Sequence, residues 1–129
     1  DKVINFKSFS SNCLKFKKNF RDKIIKLKND NKICGYAATS KSTTLLNFCE
    51  IDNTMLDCIF DSTEQKQGLY SPGVHVPIVD AKKFLESNYD ISLLLAYNHA
   101  NEIKNKEILY RGKWLEYYPD IKLDRDTNF

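Results

Sequence analysis

Short apolar runs of strand length alternate along this chain with stretches whose apolar residues recur at helical spacing, and that alternation limits the possible folds more than any other feature. Ile33 to Ala38, Met55 to Asp61, Val76 to Val79 and Ile91 to Tyr97 are nearly continuous in apolar character, and Lys113 to Tyr118 completes the set before Pro119. A strand that is apolar on both faces must be covered on both faces, which is the condition inside a parallel sheet.

Between and before these runs the spacing changes. Phe6, Phe9, Cys13, Phe16, Phe20, Ile24 and Leu27 follow one another in steps of three and four, with Lys and Asp in the gaps, and predict a long amphipathic helix. Asn29, Asp30 and Asn31 end it, and Lys26 and Lys28 suit the negative end of its dipole. Further helical patterns run from Thr44 to Cys49, from Ala81 to Ser87 behind Asp80 as N-cap, and from His99 to Tyr110. The tail after Ile121 is polar and is expected to fray. Parallel strands need crossovers, and right-handed β-α-β units supply them. The expectation is an α/β, Rossmann-like three-layer sandwich with a mainly parallel five-stranded sheet, preceded by the long N-terminal amphipathic helix.

Composition narrows the function. Hydrophobic residues at 42% and charged residues at 29% are those of a chain that folds into one core. The net charge of +3 is concentrated between Lys15 and Lys32, too small and local for a nucleic-acid-binding face. No apolar run is long enough to span a membrane, and the N-terminus lacks the order of a signal peptide, so a cytoplasmic protein is expected. Cys13, Cys34, Cys49 and Cys58 form no C-x-x-C pair and have no His at ligand spacing, and they read as core thiols in a reducing compartment. The first residue, Asp1, suggests processing or excision from a longer protein.

In parallel sheets ligands bind beyond the carboxyl ends of the strands, where strand order reverses. That directs attention to Gly35–Ser42, Asp61–His75 and Tyr97–His99. The first of these has small residues that let a backbone approach a ligand, amide groups at the start of a helix, and the charge of Lys41. It departs from the dinucleotide-binding fingerprint at Ala37 and Ser40. The alternative is that Ser40 or Ser42 caps the helix while Lys41 is solvated. Asp61 at a strand end is placed either to bind a ribose hydroxyl or to make an Asx-turn. His75 and His99 read as structural or solvated, and no nucleophile–base or paired-carboxylate arrangement stands out.

Taken together, the segments Gly35-Tyr36-Ala37-Ala38-Thr39-Ser40-Lys41-Ser42-Thr43-Thr44-Leu45-Leu46-Asn47 and Lys66-Gln67-Gly68-Leu69-Tyr70-Ser71-Pro72-Gly73-Val74-His75-Val76-Pro77-Ile78 resemble the C-terminal domain of nucleotide-sugar C-methyltransferases. The strand ending Leu95-Ala96-Tyr97-Asn98 is similar to a third motif of that family, and the resemblance covers about Lys32 to Tyr118. The family usually has glycine where Ala37 and Ser42 stand and tryptophan where Tyr97 stands.

The resemblance implies a protein with an N-terminal zinc-binding region, a central S-adenosylmethionine-dependent methyltransferase domain and a Rossmann-like last part that helps hold a nucleotide-linked deoxysugar. S-adenosylmethionine and zinc are then expected only in upstream domains, with no cofactor in this chain. The catalytic base is also expected upstream, so the isolated chain should be inactive. Residues 1–31 would be a linking helix and 32–129 the substrate domain, partnered by the upstream methyltransferase domain and by neither nucleic acid nor membrane. Gly35, Lys41, Ser42, Asp61, Tyr97 and Asn98 would bind the substrate, with Lys41 toward the diphosphate, Asp61 accepting from a hydroxyl, and Tyr97 and Asn98 against the sugar or base. The competing expectation is a free-standing Rossmann-like module that binds a nucleotide or coenzyme for regulation.

Overall fold

A computed structural model describes residues 2–126 and 129, with side chains from Ser10 onward; Asp1 and the side chains of Phe6 and Phe9 lie outside the described residues. Helix α1 (Lys2–Lys28) leads into β1 (Ile33–Tyr36), α2 (Ser40–Cys49) and β2 (Ile59–Asp61), and the loop after β2 leads to β3 (Ile78–Asp80). Two single 3-10 turns, Ala81–Lys83 and Leu85–Ser87, precede β4 (Ile91–Leu94), which is followed by α3 (Ala100–Lys106), β5 (Lys113–Glu116) and β6 (Lys122–Leu123).

The sheet order is β3-β2-β1-β4-β5-β6, with every pair parallel except β5–β6. β1 is central, pairing Gly35 with Ile59 on one side and with Leu93 on the other. Alternation along the strands feeds two cores. Ile33, Ile59, Ile91 and Leu93 face α1 and α2 through Phe20, Ile24, Leu46 and Cys49. Cys34, Tyr36, Phe60 and Leu94 face the opposite layer, where Phe84, Ile103 and Trp114 meet them. Gly35 stands between Ile59 and Leu95, and a Cβ there would approach their side chains to 3.2 and 3.0 Å. Glycine lets those two large residues close over the centre of the sheet.

The sheet has six strands where the sequence predicts five. Beyond Pro119 the chain reverses, Leu123 buries its side chain, and Lys122 pairs with Glu116 across an antiparallel ladder, at 3.7 Å between charges. The segment expected to fray is therefore held by one apolar side chain in an otherwise polar stretch. Met55 and Leu56 are buried from a turn, not from a strand, so β2 starts at Ile59; burial alone made the run look longer. The expected helix from Ala81 to Ser87 is two 3-10 turns, and the helical pattern from His99 becomes a 3-10 turn, Tyr97–His99, followed by α3.

Phe20 and Ile24 on α1 are fully buried in the core, and Phe16 stacks on Phe20 with ring centroids 5.3 Å apart. Lys28 binds Asp57 at 2.7 Å, and Arg21 donates to the carbonyl of Glu50 at the end of α2. The second half of α1 is thus fastened to the sheet, while Leu14 in the first half is 60% exposed. Cys34, Cys49 and Cys58 are buried free thiols and Cys13 is half-buried. No helix among the described residues is long and apolar enough to cross a membrane.

Phe20→Ala should lower unfolding stability by about 3–5 kcal/mol in chemical denaturation, whereas Leu14→Ala should change it by less than about 0.5 kcal/mol. Equal effects at the two positions would mean that α1 is not part of the core.

Candidate functional site

The chain winds from β1 through β2 to β3 in one direction and resumes beside β1 with β4, so the order reverses between β1 and β4. Their carboxyl ends carry the turn into α2 and the segment leading to Tyr97. Parallel strands deliver these ends to one edge, which is where the general rule for such sheets places a ligand.

The β1–α2 turn is fixed from several sides. Ala37 has φ +78°, in the left-handed region that favours glycine, and its amide donates to Phe60 O at 2.7 Å. The next amide, of Ala38, donates to Asp61 Oδ2 at 2.7 Å, and Lys66 Nζ donates to the Ala38 carbonyl at 2.5 Å. Thr39 caps α2: its Oγ1 accepts from the Ser42 amide, while Ser42 Oγ accepts from the Thr39 amide. The cap is Thr39, one residue before the Ser40 that the sequence offers, with Ser42 as its reciprocal partner.

These bonds sort the six expected site residues. Gly35 lies inside the sheet, covered by Leu95 and Ile59, and does not reach the edge. Ser42 is 1% exposed, with its hydroxyl committed to Thr39. Asp61 is buried with both oxygens engaged, Oδ2 by Ala38 and Oδ1 by the Thr63 amide at 2.8 Å, so the Asx-turn alternative is the one observed. Lys41, Tyr97 and Asn98 reach the surface. Lys41 Nζ lies 5.7 Å from the centroid of the Tyr97 ring, which joins the β1 end to the β4 end.

Tyr97 is held from behind by Tyr117 and Tyr118, with centroids 5.7 and 4.5 Å away. Tyr117 in turn donates to Leu95 O at 2.9 Å, and burial pushes its phenol up to about 12. A recess of about 240 Å³ opens along Tyr97, Asn98, His99 and Glu102. His99 Nδ1 stands 3.6 Å from Glu102 Oε1, a distance too long for a tight ion pair. His75 is exposed in the loop after β2.

On the other side of the α2 start lies a feature that the sequence reading does not isolate. The loop after β2 folds back so that Lys66, Leu69, Tyr70 and Pro72 face Ala38, Thr39 and Thr43 across a cleft of about 280 Å³. The signal for it was a Leu-Tyr pair between Gly68 and Pro72. A larger recess of about 460 Å³, lined by Asn88, Tyr89, Asp90, Tyr110 and Arg111, lies at the opposite edge, before β4 and β5 begin. Its polar groups hold loops together: Asp90 accepts from the Lys32 amide and Tyr110 donates to Tyr89 O. Among the described residues no group of three His, Cys, Asp or Glu side chains is placed to hold a metal ion.

Residues 1–119 match the family described as the C-methyltransferase C-terminal domain. A curated relative, the C-methyltransferase NovU of Streptomyces niveus, is 35% identical over 82 residues, which is 62% of this chain and 20% of that protein. The chain thus spans a small part of the length of the curated relative it matches.

Two substitutions test the account of the turn. Ala37→Gly should stabilise the protein by about 1 kcal/mol, because relief of left-handed strain exceeds the added chain entropy. Asp61→Ala should destabilise it by about 2 kcal/mol or more, because two amides lose their acceptor. Both are read by denaturant unfolding; a neutral Asp61→Ala would remove Asp61 from the scaffold.

Proposed function

The chain belongs to the family of C-methyltransferase C-terminal domains, and we propose that it holds the methyl acceptor, a nucleotide-linked deoxysugar, for an upstream methyltransferase domain of the same protein that binds S-adenosylmethionine. The observation that carries this reading is the Lys41–Tyr97 pair, an exposed cation and an aromatic face from two different strand ends at the point where strand order reverses.

In this reading each group has a task that suits its chemistry. Lys41 faces the diphosphate as a point charge, with the first amides of α2 beside it. Tyr97, backed by Tyr117 and Tyr118, offers an apolar face to the sugar, and Asn98 offers hydrogen bonds from an exposed amide. Gly35, Ser42 and Asp61 belong to the site as its scaffold. They set the turn that carries Lys41. The base that takes the acidic proton beside the sugar's keto group, the methyl donor and a structural zinc all belong to upstream domains. The protein works in the cytoplasm, where buried thiols such as Cys34 and Cys49 stay reduced.

Removing Lys41 deletes a charge-assisted contact of about 1.5–3 kcal/mol, lessened by exposure of the side chain. Lys41→Ala in the full-length protein should raise the Michaelis constant for the acceptor roughly tenfold and leave that for S-adenosylmethionine unchanged. An unchanged acceptor constant, or an equal loss for both substrates, would remove Lys41 from the site. Calorimetric titration of this chain with S-adenosylmethionine should show no binding, and micromolar affinity would place the donor here instead.

A further inference from the structure

We propose that the cleft between the α2 start and the loop after β2 receives the nucleobase of the acceptor, stacked on Tyr70; this rests on the acceptor-holding role above. The first argument is the loop itself. It runs from Ser62 to His75 without a strand of its own, yet it is tied down along its length. Gln67 Nε2 donates to Asp61 O at 3.0 Å, and Gly68 N and Ile78 N form a reciprocal backbone pair with Ile78 O and Leu69 O, at 3.0 and 2.9 Å. Ser71 N donates to Val76 O, and Asn47 on α2 donates to Pro72 O. Gly73, at φ +83°, leaves room for that Asn47 side chain where a Cβ would collide with it.

A loop this well fastened would ordinarily turn its largest apolar side chains inward. Here it presents Leu69 at 56% and Tyr70 at 63% exposure, side by side along one wall of the cleft. Rigid presentation of an aromatic ring carries little further ordering cost on binding, which is the property of a stacking platform.

The second argument is polar. Ser71 borders the same cleft and is 3% exposed, yet its hydroxyl has no hydrogen-bond partner among the described residues. A buried hydroxyl without a partner costs free energy unless something else satisfies it. The edge of a base, with donors and acceptors in one plane, does so. Lys66, the cation of the cleft, is committed to the Ala38 carbonyl, so the cleft has no free charge to attract a phosphate. Its chemistry is that of an uncharged, flat, hydrogen-bonding ring.

The third argument is size and place. About 280 Å³ here and about 240 Å³ beside Tyr97 each fall below the roughly 300–1,000 Å³ that encloses a whole drug-sized ligand. The two recesses lie on opposite sides of the α2 start. A ligand with a ring at each end and a charged linker between them fits such a pair better than either recess alone.

The test titrates this chain with uridine diphosphate, thymidine diphosphate, their glucose conjugates and glucose 1-phosphate, followed by NMR chemical shifts to millimolar concentration. Tyr70→Ala should weaken the nucleotides and conjugates about tenfold, Tyr70→Phe should restore affinity to within about twofold, and glucose 1-phosphate should be indifferent to both changes. An unchanged nucleotide affinity in Tyr70→Ala, or an equal loss for glucose 1-phosphate, overturns the assignment of the cleft. If those results accompany a loss in Lys41→Ala, the acceptor-holding role survives and only the base site falls. If the unaltered chain binds none of the probes, both readings fall. Because Tyr70 is largely exposed, its variants should melt with the parent, and a common melting temperature is the control for folding.

Discussion

The carboxylate of Asp61 is the tie on which the candidate site depends. One oxygen holds the Ala38 amide at the end of β1 and the other holds the Thr63 amide at the start of the loop after β2. Two strand ends and two connecting segments are thereby fixed by one buried side chain. Everything toward the surface is built outward from there: Ala38 accepts Lys66, Thr39 caps α2, and α2 carries Lys41 to Tyr97. A charged acceptor gives shorter and stronger bonds to amides than a neutral one, which suits a joint that must keep its geometry.

Strand positions were legible because burial on both faces leaves an unmistakable apolar run. Ile33 to Tyr36 and Ile91 to Leu94 fall inside the runs that the sequence marks. What could not be read is conformation where burial is decoupled from pairing. Met55 and Leu56 are as apolar as a strand but sit in a turn closed by Asp52 and Thr54. Leu123 forms β6 because of a tertiary partner, β5, that no local pattern announces.

The site was legible in place but only partly in role. The first turn, the Asp61 loop and Tyr97 do come to one edge, as parallel topology requires. Sequence position does not say whether a polar side chain faces the ligand or the backbone. Asp61 and Ser42 could have done either, and the deciding fact is that a nearby amide without a partner would be costly, so the scaffold takes them first. Lys41, a long side chain on the exposed face of α2, has no such prior claim. The same reasoning explains why Tyr70 escaped notice: an exposed aromatic on a loop is ordinary in a sequence and becomes informative only when the loop proves rigid.

Ala37 shows how the turn and its proposed ligand bear on each other. It keeps a backbone conformation that glycine adopts freely, and the strain persists because neighbouring bonds over-determine it: its own amide to Phe60, the Ala38 amide to Asp61, the Ala38 carbonyl to Lys66 and the reciprocal Thr39–Ser42 cap. The turn therefore needs no ligand to order it, and its shape is set before a ligand arrives. A glycine here would let a diphosphate approach the backbone directly, whereas the Cβ of Ala37 holds it off. Recognition of the anion must then move outward, from main-chain amides to a side chain with reach and charge. Lys41, already beside Tyr97 at that edge, is the group so placed, and its importance to binding follows from the methyl group four residues before it.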